Sequence, residues 1–143
     1  MDEMMTQLVD FGASWSLDLE TEKNSTLAGK PVHRIYLKSD TGIGDGDKDF
    51  FWLLPEDEKV CFCIPGESNV DDIKRTYAVE IVGCSCGPLP GNTDCVCIKA
   101  DQLNLDNVLC KEFVQHMMAA RASQLGIELR MGIDGNAGGC GGG

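Results

Sequence analysis

Three Cys-x-Cys pairs, Cys61/Cys63, Cys84/Cys86 and Cys95/Cys97, fall within stretches where apolar residues recur at every second position. Successive side chains on a strand point to opposite faces, so this spacing demands extended chain and places both members of each pair on one side of their strand. In Val60-Cys61-Phe62-Cys63-Ile64, the residues Val60, Phe62 and Ile64 share one face and the two cysteines the other. Thr76 to Cys86 and Cys95 to Asp101 alternate in the same way, and the turn-rich segment 87–94 between them predicts a long β-hairpin. A chain with this pattern is committed to a sheet.

The remaining segments set what covers that sheet. Met4, Met5, Leu8, Val9 and Phe11 recur at helical spacing over residues 2–12, with Gly12 as a stop. Trp15, Leu17 and Leu19 alternate with polar residues and predict a strand, whereas 21–30 reads as a polar loop. Val32 to Lys38 is a further strand, and 41–49, with three glycines and three aspartates, is the turn joining it to the apolar run Phe50 to Leu54. Near the other end, Val108, Leu109, Phe113, Val114, Met117, Met118 and Leu125 trace one face of the main helix, about Asn104 to Leu125, with Asp106 as its cap and Gly126 as its end. Residues 127–131 add a short strand. The fold expected is α+β: an antiparallel sheet of about five or six strands packed by one main C-terminal helix, with a short N-terminal helix. Residues 1–131 make one domain and 132–143 a glycine-rich tail.

Charge narrows the function. Twenty-three acidic residues against 12 basic ones give a formal charge of -11, and the longest basic runs are Lys74-Arg75 and His33-Arg34. Nucleic-acid binders displace counterions with a basic patch, so no direct nucleic-acid binding is expected. An acidic surface suits solubility, a basic partner or imitation of nucleic acid. The acidic first residues do not form a signal peptide, and no run of about 18 apolar residues spans a membrane, which points to the cytoplasm.

The cysteines are the unusual feature, eight in all. If the hairpin closes symmetrically, Cys86 faces Cys95 and Cys84 faces Cys97, with Val82 opposite Lys99. Four thiols then share the more polar face, and Tyr77, Val79, Ile81, Val96 and Ile98 form the core face. The plainest reading is reduced, semi-buried side chains. A metal site of Cys84, Cys86, Cys95 and Cys97, joined by Cys61 or Cys63 if their strand lies alongside, is second, because sulfurs about 3.8 Å apart suit tetrahedral zinc, although the usual Cys-x2-Cys knuckle is absent. Cross-strand disulfides come third, since a cytoplasm keeps thiols reduced, and a reactive redox thiol last, since little positive charge is nearby beyond Lys99. Cys110 reads as a core residue of the helix and Cys140 as an exposed thiol of the tail.

Other constellations fall short. Asp45, Asp47, Asp49 and Glu56 partly imitate a calcium loop, but its sixth position is Phe50 where glycine is needed, and a strand follows. The glycines at 42, 44 and 46 lack the lysine of a phosphate cradle. With His33 and His116 as the two histidines, no nucleophile motif is set up, and His116 reads as a surface residue. The terminal Gly141-Gly142-Gly143 resembles the glycine-ended tails of ubiquitin-like modifiers and sulfur carriers in those three residues, but such proteins place their main helix before the last strands. The function expected is that of a non-enzymatic interaction or assembly protein, with a protein partner or self-association. A thiolate domain binding zinc or an iron–sulfur cluster is the first alternative, and an acidic inhibitor that mimics nucleic acid the second.

Overall fold

The computed structural model describes residues 2–27, 29–38, 49–84, 89 and 92–129. Its elements, in chain order, are α1 (Asp2–Ser14), β1 (Leu19–Leu27), β2 (Lys30–Leu37), β3 (Asp49–Leu54), β4 (Lys59–Pro65), α2 (Val70–Tyr77), β5 (Ile81–Val82), β6 (Thr93–Lys99) and α3 (Val108–Gln124). The six strands form one antiparallel sheet in the order β1-β2-β3-β4-β6-β5. The α+β class, the antiparallel sheet and the N- and C-terminal helices are as expected. The glycine-rich tail, the turn at 41–48, Cys86 and Cys140 lie outside the described residues.

All three helices send side chains into one core. Leu8 and Phe11 from α1, Ile73 from α2, and Phe113, Val114, Met117 and Met118 from α3 meet Ile35, Phe51, Leu53, Val60, Phe62, Ile64, Val96 and Ile98 of the sheet. The alternation read from the sequence decides this: the non-cysteine face of β4 and β6 is the face the helices cover. Phe113 stands edge-on to Phe62, with ring centroids 5.5 Å apart at 87°, an arrangement aromatic quadrupoles favour.

Four departures have identifiable causes. First, the polar stretch expected as a loop after residue 20 is most of β1, an edge strand with Thr21 to Asn24 exposed. Its ladder to β2 supplies the order, so no apolar alternation is needed, while Trp15 lies in the turn after α1. Second, Thr76 and Tyr77 belong to α2 and the expected long strand shrinks to Ile81–Val82. Asn69 caps α2 by accepting from the Asp72 amide at 3.0 Å. Asp71 and Asp72 in the first turn and Lys74 and Arg75 in the last suit the helix dipole. Third, β6 stops at Lys99 and a short 3-10 turn follows, and 127–129 is not a strand. Fourth, α3 is capped by Asn107, whose Oδ1 accepts from the Cys110 amide at 3.0 Å, in place of Asp106. Starting there turns Val108 and Leu109 out to solvent, off the apolar face assigned to them. Cys110 is half-buried, its sulfur taking the Asn104 amide.

Candidate functional site

The six-strand order aligns one row of side chains across the whole sheet. Glu22 lies opposite Arg34, Arg34 opposite Trp52, Trp52 opposite Cys61, Cys61 opposite Cys97 and Cys97 opposite Val82. The row runs along the face away from the helices. One step along β4 and β6, Cys63 lies opposite Cys95.

The hairpin register differs from the symmetric one. Val82, and not Cys84, faces Cys97, and Ile81 faces Ile98. The slip is two residues, so every side chain keeps its face. It is also the spacing within each Cys-x-Cys pair, which is why the sequence alone could not distinguish the two registers. Cys84 is thereby brought to Cys95. Cys61 enters from β4, because β6 inserts between β4 and β5. Of the four expected ligands, Cys84, Cys95 and Cys97 come together with Cys61, while Cys86 is outside the described residues.

Four sulfurs therefore converge. Cys61–Cys97 and Cys84–Cys95 are disulfides, with Cα–Cα separations of 4.0 and 6.6 Å. This is the state the sequence analysis ranked behind reduced packing and metal binding. Between the two bonds, the Cys84 and Cys97 sulfurs are 3.4 Å apart and those of Cys95 and Cys97 3.9 Å. The sulfurs of Cys61, Cys84 and Cys97 all lie within 4.8 Å of one another. Exposure is graded across the cluster: Cys61 and Cys97 are 0% exposed, Cys95 is half-buried and Cys84 is open to solvent.

The face expected to be the polar one is a second buried apolar layer. Val32, Trp52, Leu54, Cys61, Cys63 and Cys97 form it, with Leu27, Val82, Leu89 and Cys95 packed against it. Its polar component beside the sulfurs is positive. Lys59 lies directly opposite Lys99, one step from Cys61 and Cys97 on the same face. The Lys59 ammonium donates to the Gly83 carbonyl at 2.6 Å, next to Cys84.

At the other end of the row sits a buried ionic group that sequence reasoning missed. Asp49, assigned to an acidic turn, is the first residue of β3 and is 4% exposed. Its carboxylate accepts from Arg34 Nη2 at 2.6 Å, Arg34 Nε at 3.1 Å and Trp52 Nε1 at 2.8 Å. Arg34 also donates to Glu22 at 2.8 Å. Burial holds the Asp49 carboxyl above its ordinary range in spite of Arg34, and the hydrogen bond to Asp49 raises the Arg34 guanidinium. From the helix side, buried Arg121 donates to the Asp49 carbonyl at 2.7 Å, tying α3 to β3. The one legible signal was an aspartate directly before the apolar run Phe50 to Leu54, whose neighbouring strand carries an arginine.

Two further expectations find their places. His116 is exposed, as expected, and its Nδ1 lies 3.2 Å from the Tyr77 hydroxyl. Among the described residues no helix is long and apolar enough to cross a membrane. Comparison with known proteins adds nothing to this picture: no protein-family model, no curated protein and no solved structure matches this chain.

Proposed function

We propose that this protein is a thiolate metal-binding domain which, once reduced, holds one zinc ion between Cys61, Cys84, Cys95 and Cys97. The observation that carries this is the convergence of four sulfurs from β4, β6 and the segment after β5, with contacts of 3.4 and 3.9 Å between cysteines not bonded to each other. Tetrahedral zinc at a Zn–S distance of about 2.3 Å requires sulfurs about 3.8 Å apart. Soft thiolates select zinc over magnesium or calcium. A zinc tetrathiolate carries two net negative charges, and Lys59 and Lys99 lie one step from Cys61 and Cys97 on the same face. Cys61, from β4, completes the ligand set with Cys84, Cys95 and Cys97.

The test is native mass spectrometry of protein reduced with a phosphine and supplied with zinc. One zinc per chain, lost in Cys61→Ser/Cys97→Ser, is the expected result. A reduced wild type that binds none at micromolar zinc would sink the proposal.

A role in protein contact or self-association is the second reading, supported by a different place. Val108 and Leu109 are 69% and 43% exposed, side by side at the start of α3. Sedimentation velocity of wild type and Leu109→Asp tests it: a dimer lost in the variant supports self-association, and a wild-type monomer removes it.

A further inference from the structure

The two disulfides differ in access and yet touch. Cys61–Cys97 is sealed in the apolar layer, with both residues 0% exposed. Cys84–Cys95 ends on an exposed residue. The bonds meet at the 3.4 Å contact between the Cys84 and Cys97 sulfurs. Thiol–disulfide exchange requires a thiolate to reach a disulfide sulfur, so access decides its rate as much as thiol acidity does. A reductant in solution reaches the outer bond and not the inner one.

We infer that Cys84 and Cys95 form the port of a disulfide relay, through which an external dithiol exchanges electrons with the buried Cys61–Cys97 bond. In the first step a dithiol reduces Cys84–Cys95, leaving two protein thiols and the dithiol closed into its own disulfide. The Cys84 thiolate then attacks the Cys97 sulfur. A Cys84–Cys97 bond forms, the Cys61–Cys97 bond breaks, and the electron pair leaves on Cys61, which takes up the proton Cys84 gave up. A second dithiol reduces Cys84–Cys97 at its exposed end. Two dithiols are consumed and four protein thiols made. Run in reverse, the same steps carry oxidation from an external disulfide to the buried pair. The natural partner is thus a protein or small molecule of the dithiol class.

The relay concerns the oxidised protein and stands or falls separately from zinc binding. Its test uses the oxidised full chain and 1 mM dithiothreitol, with acid quenching, alkylation and peptide mapping to time the appearance of the Cys61 thiol. A neighbouring thiol acts at an effective concentration far above that of the reagent. In Cys84→Ala/Cys95→Ala the Cys61 thiol should therefore appear at least about tenfold more slowly than in wild type. A variant that merely loosened the fold would speed this reaction, so slowing cannot come from misfolding. If the variant is as fast as wild type or faster, mapping of the wild type with one equivalent of dithiothreitol decides. A peptide linked through Cys84 and Cys97, with Cys61 alkylated, supports the relay; no such peptide overturns it.

Discussion

Replacing Asp49 by alanine removes the carboxylate that accepts three side-chain hydrogen bonds, two from Arg34 and one from the Trp52 indole. The pair is enclosed: the Arg34 side chain is 13% exposed and that of Asp49 5%. Deleting one partner of a buried ion pair costs about 3–5 kcal/mol, because the remaining charge stays desolvated. The indole N–H, left without its acceptor, falls within the same loss, and Glu22 retains part of the Arg34 charge. The net expectation is about 4 kcal/mol, against a total of about 7–21 kcal/mol for a domain of this size. The variant should fold, with a urea midpoint lower by about 2 M at a slope of about 2 kcal/mol/M. Far-ultraviolet circular dichroism follows the transition. A shift below about 0.5 M at unchanged slope would refute the reasoning and make the pair a solvent-screened surface bridge. The acid limb supplies a second check. Burial raises the folded-state Asp49 carboxyl above 3.8, so the native state binds this proton more readily than the unfolded chain. As pH falls from the folded value towards 3.8 the group adds stability to wild type, and the deficit of Asp49→Ala should widen over that interval.

Three further outcomes are expected. The disulfides close loops of 36 and 11 residues, one nested in the other. Chain entropy then makes reduction in the presence of chelator cost about 5–6 kcal/mol; equal urea midpoints for oxidised and reduced protein would contradict this, and zinc added to the reduced form should restore part of the loss. Phe113→Ala, which empties a site 0% exposed between Phe62 and Tyr77, should cost about 3–5 kcal/mol by chemical denaturation. Asn107→Ala should cost about 1 kcal/mol, whereas Asp106→Ala should change the midpoint by less than half as much, because Asn107 holds the cap.

What was legible in the sequence is what the helix-covered core writes into it. Val60, Phe62 and Ile64 alternate because one face of β4 meets α3, and Phe113 to Met118 recur at helical spacing because α3 meets that face. β1 carries no such mark: an edge strand held by its backbone ladder accepts Glu22, Lys23 and Asn24 without cost. The segment from Thr76 to Val82 alternates as a strand does, but its first two residues close a helix whose start is set by the Asn69 cap, so a local polar signal prevailed over the period. In the cysteine region the pattern fixed the face and left the register open, since a two-residue slip is invisible to a two-residue repeat. Cys61 joined the site through strand order, which no local pattern encodes. Asp49 was hidden by composition, lying at the end of an acidic, glycine-rich stretch.

The Cys61–Cys97 bond also makes a covalent ring of everything between its ends, α2 and β5 included, and Cys84–Cys95 makes a smaller ring inside it. The ring closes across β4 and β6, adjacent strands in the interior of the sheet, so the part of the chain before it and the part after it are joined by two connections instead of one. A protease that nicks α2 in the oxidised protein therefore releases no fragment, and β4 and β6 stay side by side. Only after reduction does the same cut divide the molecule, so a hidden nick in this segment would be visible on a denaturing gel with reductant and absent from the same gel without it.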